Sequence, residues 1–246
     1  MVDQTELTQK MIDAGAHIGV RRFLVHPTMR RFIFTYKEDL ALINIAKTVE
    51  LWENLFKELE LLVKAKKSIL SLGTQPAAKK LLSSCGEECG FPYMTRRWLG
   101  GTLTNFATFK GRLDHLKELQ AKVNSQDFAK YTKKEQGQIS QEINEIKEKF
   151  DGLTKLAALP DALLVFCGRK HRTAIAEAKR MNITVFGIFG LDDNYDDAAH
   201  CVVVNDNAQS VLSLVLNQIR DLYNQSKEAD SPAESEKTAA PPPAEK

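Results

Sequence analysis

The run Arg96-Arg97-Trp98-Leu99-Gly100-Gly101-Thr102-Leu103-Thr104-Asn105-Phe106 sets two arginines and one of the chain's two tryptophans beside a glycine pair. From Tyr93 to Arg112 the cations are Arg96, Arg97, Lys110 and Arg112, and there is no acid. A guanidinium next to an aromatic ring on a flexible turn suits phosphate contact together with stacking on a base or sugar. The same residues also read as a surface loop whose tryptophan plugs the core. A second basic stretch comes earlier, with His17, Arg21, Arg22, His26, Arg30 and Arg31 between Ala16 and Phe32.

Patterns for catalysis are weaker. The chain has neither a G-x-G-x-x-G after a strand nor a G-x-x-x-x-G-K-[ST], and it has no G-x-S-x-G elbow. Gly73-Thr74-Gln75 follows an apolar run and precedes a helical one, where an anion could meet helix N–H groups. An α/β nucleotide- or anion-binding enzyme with a pocket at Gly73-Thr74 is therefore the alternative reading of the chain. Cys85 and Cys89 have a helical spacing that could hold a metal but no second pair nearby, so two half-buried helix cysteines are expected. Cys167 and Cys201 end apolar runs and read as core thiols. Asp192-Asp193-Asn194-Tyr195-Asp196-Asp197 lacks the glycine and closing glutamate of an EF-hand and reads as a solvated acidic loop. His17 and His26 have no carboxylate at an obvious spacing, so structural or RNA-contacting roles are expected of them. His115 and His171 lie in charge-rich helical stretches and are expected at the surface. No catalytic residue, cofactor or metal is expected, and a scaffold or binding module outweighs an enzyme.

Composition narrows the partners. The net charge is only +2, so recognition of a polyanion must rest on local patches. Met1 to Lys10 does not look like a secretory signal, and no apolar run approaches the roughly 20 residues of a membrane span, so no membrane partner is expected. Scattered cysteines fit a reduced, cytoplasmic setting.

The elements that must position these residues follow from periodicity. Leu7–Gly15 reads as a short helix closed by Gly15. Ala16–Arg31 lacks periodicity. Phe32–Tyr36 and Leu40–Ile45 are strand candidates, followed by a helix from about Ala46 to Lys66 with Val49, Trp52, Leu55, Phe56, Leu59 and Leu62 on one stripe. Ser68–Leu72 reads as a strand and Gln75–Cys89 as a helix. From Phe106 to Leu153 strand signals vanish and charge rises. Ile139, Ile143, Ile146, Phe150 and Leu153 recur at heptad spacing, Phe109 to Val123 carries a looser matching stripe, and Asn124-Ser125 is a plausible bend. Two charged helices with facing seams imply an antiparallel hairpin. Strand Ala162–Phe166, helix Arg169–Met181, strands Ile183–Phe189 and Cys201–Val204, and helix Ala208–Ser226 complete the pattern. Alternating strands and helices argue an α/β fold with a parallel sheet covered on both faces. The expected organisation is an α/β part over 1–105, a helical hairpin over 106–153, a second α/β part over 154–226 and a disordered Pro/Ala/Glu tail over 227–246.

The focal run, in the form Arg97-Trp98-Leu99-Gly100-Gly101 followed by Leu103-Thr104-Asn105-Phe106, closely resembles the signature of the small-subunit ribosomal protein S-two family. Ala14-Gly15-Ala16-His17-Ile18-Gly19 with Pro27, Met29 and Ile33-Phe34 resembles its first block. Leu159-Pro160-Asp161-Ala162-Leu163, with Glu177-Ala178 and Ile183-Thr184-Val185, resembles the third, and Asn205-Asp206-Asn207-Ala208 the last. The hairpin is similar to that of the bacterial or organellar branch. Val20, Phe23, His26, Phe166-Cys167 and Phe189–Asp192 depart from the family pattern.

The resemblance implies a Rossmann-like or flavodoxin-like domain with a coiled-coil insertion. It also implies a non-catalytic role in the ribosome, in the cytoplasm of a bacterium or, alternatively, in an organelle. The implied partners are small-subunit rRNA, neighbouring small-subunit proteins and the S-one-type mRNA-binding protein. The expected rRNA contacts are Arg21, Arg22, Arg30, Arg31, Arg96 and Arg97, with Lys110 and Arg112 at the hairpin root and Lys130, Lys133 and Lys134 on its arm. Trp98, Gly100, Gly101 and Asn105 are expected to build the corner, Trp98 as a core anchor rather than a base stacker.

Overall fold

The computed structural model describes residues 4–124, 132–150, 152–156 and 158–230. Helix α1 (Gln4–Asp13) ends where Gly15 takes a left-handed φ of +81°, the C-cap role expected of it. Strands β1 (Ile18–Arg21), β2 (Ile33–Lys37) and β3 (Leu40–Ile43) then form an antiparallel sheet of their own, in the order β1-β3-β2. The strand signals at β2 and β3 therefore do not extend the parallel sheet. Only Glu38 and Asp39 separate them, and a two-residue connection can only reverse the chain. β1 lay hidden in the aperiodic stretch Ala16–Arg31, whose remainder winds into 3-10 turns over Arg22–Leu24 and Pro27–Phe32.

The central sheet is parallel. It contains β4 (Ile69–Leu72), β5 (Tyr93–Met94), β6 (Ala162–Phe166), β7 (Thr184–Phe189) and β8 (His200–Val203) in the order β5-β4-β6-β7-β8. Counted within the sheet this is 2-1-3-4-5, the flavodoxin-like winding. Its strands read as continuous apolar runs because side chains alternate between two covered faces. Ile69, Leu164, Phe166, Phe186, Ile188 and Val202 pack with α2 (Ile45–Lys64), α3 (Pro76–Cys89) and α7 (Gln209–Asp230). Leu70, Leu72, Leu163, Val165, Val185 and Val203 pack with α6 (Arg172–Arg180), with residues of the small sheet and with the first turns after Trp98. The α2 stripe Val49, Trp52, Leu55, Phe56 and Leu59 is buried as its spacing predicts, while Leu62 is half-buried at its edge and Val63 takes the buried place in the last turn. α7 runs on to Asp230, past the expected end at Ser226, in a segment of good helix formers.

Helices α4 (Phe106–Asn124) and α5 (Lys133–Phe150) pair with each other. The Phe109 ring meets Phe150 edge-on at 5.2 Å, and His115 Nε2 lies 3.1 Å from Glu142. One number rises as the other falls, so the helices run antiparallel. Leu116, Leu119 and Ile143 form a small cluster between them, while Phe109, Leu113 and Phe150 join the second layer of the body. Ser125, Lys130 and the tail beyond Asp230 lie outside the described residues.

One close approach constrains α3 against the sheet. A Cβ on Gly86 would sit 2.3 Å from Cδ1 of the buried Tyr93 ring. Gly86→Ala is therefore expected to destabilise the fold by about 1–3 kcal/mol, the usual range for overpacking. A Tm drop of several degrees in a thermal melt checks this, and an unchanged Tm contradicts it.

Candidate nucleic-acid interface

Helix α6 buries Ala174, Ile175 and Ala178, and Glu177 shares that face. A carboxylate on an apolar stripe needs donors, and the focal run supplies them. Glu177 Oε1 accepts from Trp98 Nε1 at 3.0 Å and from the Gly101 amide at 2.9 Å. Its Oε2 accepts from the amides of Leu103 (3.1 Å) and Thr104 (3.3 Å) and from Thr104 Oγ1 (3.4 Å). Burial opposes ionisation, but the Trp98, Gly101, Leu103 and Thr104 donors outweigh it and hold the carboxyl below its ordinary pKa. The chain can wrap an anion this tightly because Gly101 takes φ +91°. Trp98 is 9% exposed and packs in the second layer, which makes it the core anchor of the corner. Asn105 donates its amide to Gly101 O at 2.8 Å, and its Oδ1 accepts from Thr108 Oγ1 at 2.9 Å, at the start of α4.

Arg96 and Arg97 are exposed immediately before this fixed turn, and Lys110 and Arg112 are exposed on the first turns of α4. Gly100, Gly101, Asn105, Arg112 and Phe150 line a shallow depression of about 130 Å³. Arg21, Arg22, Arg30 and Arg31 are all exposed on the N-terminal meander. The Arg22 guanidinium stands 5.1 Å from the Tyr36 ring centre, and Arg31 stands 4.0 Å from that of Tyr195. Arg22, Phe23, Val25, Arg30, Tyr36 and Asp39 line an open depression of about 550 Å³. Phe23 and Phe34 are 76% and 73% exposed. Lys133 and Lys134 are exposed at the start of α5. The predicted cations thus fall into three groups. Meander and corner share one layer, since Met29 and Phe32 join the same apolar cluster as Trp98 and Leu103.

Three expectations change. Residues 192–197 are not a solvated acidic loop but the dock for the basic meander. His26 N donates to Leu191 O (2.8 Å), Thr28 Oγ1 donates to Asn194 Oδ1 (3.2 Å) and accepts from Tyr195 N (3.0 Å), and Phe32 stacks on Tyr195 at 5.0 Å. Asp193 is fully buried and accepts from the amides of Arg169 and Gly190. His171 is buried rather than at the surface. Its Nε2 lies 3.0 Å from Thr74 Oγ1 and its Nδ1 2.8 Å from Cys167 O, and burial lowers its pKa. It occupies the inner side of the 3-10 turn Arg169–His171, whose other two residues face out. Cys85 and Cys89 are fully rather than half buried, 4.0 Å apart at sulfur. Cys167 and Cys201 are buried thiols, each pushed up to about 12, chiefly by burial, and His115 is exposed as expected.

The turn after β4 is committed elsewhere. Thr74 is bonded to His171, and Gln75 Nε2 donates to Asp206 Oδ2 at 2.8 Å. A phosphate approaching the start of α3 would meet a carboxylate. Burial, and then the charge of Asp193, push the Asp206 carboxyl up to about 6.

Glu177, the residue that organises the corner, was not among the predicted site residues. Its signal was an acid at the i+3 position from Ala174 on an otherwise apolar helix face. Phe23 and Phe34 were likewise unassigned, although each is a large apolar residue next to a basic or polar one. Among the described residues no helix is long and apolar enough to cross a membrane. Residues 11–226 match the protein-family model described as Ribosomal protein S2, and on that match and this fold the chain belongs to the S2 family of structural small-subunit ribosomal proteins.

Proposed function

We propose that this small-subunit ribosomal protein binds small-subunit rRNA through the meander arginines Arg21, Arg22, Arg30 and Arg31 and the corner cations Arg96, Arg97, Lys110 and Arg112. Lys133 and Lys134 add a third contact from the arm 106–153, which acts as an insertion in the α/β domain. The observation that carries the reading is the Glu177-held corner, which presents exposed arginines from a rigid turn. Preordered donors lose less entropy when they meet a phosphate. Phosphate and 2′-OH contacts dominate, because A-form RNA hides its base edges in a deep groove. By docking on the ribosome of a bacterium or organelle, the protein helps assemble the subunit beside neighbouring proteins and an S-one-type mRNA-binding partner.

The test is the double variant Arg96→Ala/Arg97→Ala. It is expected to fold with an unchanged Tm but to be depleted from purified small subunits. In direct binding to small-subunit rRNA, the slope of log K against log salt should fall by about 1–2, in proportion to the phosphate contacts removed. Unchanged occupancy together with an unchanged slope would refute the assignment of these two residues.

A further inference from the structure

The two thiols of α3 lie on the opposite side of the parallel sheet from the residues assigned to RNA. Cys85 and Cys89 belong to the apolar layer shared with α2 and α7, whereas Trp98 and the meander belong to the other layer. An i,i+4 spacing stacks two side chains on one face of a helix. That face meets α7, where Cys85 Sγ donates to Leu216 O at 3.6 Å. The two sulfurs stand 4.0 Å apart, so they form a free dithiol rather than a disulfide, whose bond is about 2.05 Å long.

That separation suits a shared ion. Two sulfurs each about 2.3 Å from one metal stand about 3.8 Å apart at a tetrahedral angle and about 4.6 Å apart in a linear arrangement. The observed 4.0 Å falls between these limits, so both side chains can hold one ion from the positions they already occupy. The number of donors selects the ion. Among the described residues no third cysteine, histidine or carboxylate brings a ligand atom within 4.8 Å of both sulfurs. A structural Zn²⁺ takes four ligands, which this pair does not supply. Cu⁺ is soft, prefers thiolate, and is satisfied by two such ligands.

The surroundings fit such an ion. Two thiolates around a monovalent cation carry one net negative charge. The Arg220 guanidinium acts on Cys85 with the opposite sign, while its Nε pairs with Glu88 of α3 at 2.8 Å. Burial, and then the neighbouring Cys89, push the Cys85 thiol up to about 12. Only a cation with high affinity for sulfur displaces such a proton. Phe91 and Tyr223, with ring centres 5.2 Å apart, pack in the same layer and keep water away. Cys89 is the last residue of α3, and a Cβ on the following Gly90 would meet nothing within 4 Å. An ion can therefore reach the pair from the open end of the helix.

We propose that Cys85 and Cys89 bind one soft monovalent cation of the Cu⁺ type as a two-thiolate site. Each sulfur forms one bond to the ion and releases its proton to solvent. The copper stays Cu⁺ and nothing is oxidised. The bound ion staples the last turn of α3 and, through Arg220, tightens its contact with α7.

The test uses the full chain with its thiols reduced, titrated without oxygen with Cu⁺ held by the chromogenic chelator bicinchoninate. The chain is expected to withdraw one equivalent of Cu⁺ from the chelator and to gain Tm as it does so. Its affinity should rise with pH as two protons are released per ion. X-ray absorption at the copper edge should show two sulfur neighbours and no nitrogen. Cys85→Ala and Cys89→Ala should each lower the affinity at least about a hundredfold, since loss of an outer partner alone can cost that much. If Cys85→Ala does not fold, Cys89→Ala at the helix end gives the same readout, and the absorption spectrum of the unmodified chain needs no variant. No stoichiometric withdrawal of Cu⁺ overturns the proposal. So does full affinity in a folded Cys85→Ala or Cys89→Ala chain, and so does a copper edge dominated by nitrogen, which would place the ion on histidines.

Discussion

Glu177→Ala is expected to cost about 3 kcal/mol of stability and to release Trp98 from its pocket. The substitution removes the acceptor for the Trp98 indole N–H and for three backbone amides at once. Trp98 and Leu103 are buried, so their donors have no water to turn to, and each orphaned donor costs about 1–3 kcal/mol. The amides of Gly101 and Thr104 are nearer solvent and contribute less. At about 2–4 °C per kcal/mol for a domain of this size, the Tm should fall by roughly 6–12 °C. Glu177→Gln should cost less, because one amide oxygen can still accept while its NH₂ group faces the remaining donors. Thermal melts check the magnitude. Tryptophan fluorescence checks the location, with Trp98→Phe as the reference for the Trp52 contribution. An unshifted melt would show that the corner does not depend on this carboxylate.

The same carboxylate gives the corner a pH dependence of definite sign. Its folded pKa is depressed below the ordinary value of 4.5. Its contribution is therefore complete above about pH 4.5 and is lost as the pH falls through the depressed folded value. The stability gap between the unmodified chain and Glu177→Gln should be full at neutral pH and should close only on the acid side. A gap that closed towards alkaline pH would assign the effect to another group.

The second large effect is expected in RNA affinity without loss of fold. Arg22→Ala/Phe23→Ala/Arg30→Ala strips the open depression of the meander of two guanidinium groups and an exposed ring. Stacking on one base is worth about 1–3 kcal/mol, and each phosphate contact adds a salt-dependent increment. Affinity for small-subunit rRNA should fall at least about a hundredfold at near-physiological salt. The Tm should hold, because all three side chains are exposed. Restoring Phe23 alone should recover affinity with no change in the salt slope, which separates stacking from charge. If the triple variant binds as tightly as the unmodified chain, RNA contact belongs to the corner and the arm alone.

Local chemistry decides the α/β class, the buried runs at β4, β6 and β7, the α2 stripe and the paired apolar seams of α4 and α5. In each case the apolar period is long enough to identify one element by itself. The exposed arginines belong to the same class of information, since a run of cations without acids stays at the surface wherever it is placed. Gly15 as a helix stop and Gly101 as a turn follow from glycine's freedom at positive φ.

What the sequence left open depends on partners far apart in the chain. Glu177 and Trp98 lie 79 positions apart, and Gln75 and Asp206 lie 131 apart, so no window along the chain shows them together. Residues 192–197 read as solvated acid because four of the six are aspartates. In the fold they receive Thr28 and Phe32 from the N-terminal meander. His171 read as surface because Arg169, Lys170 and Arg172 surround it, yet the 3-10 turn points it at Thr74 in the turn after β4. The residue types and their order determine the layers, the exposed charge and the family. Only the tertiary structure decides which buried carboxylate meets which donor, because that depends on how parallel strands bring their carboxyl ends side by side.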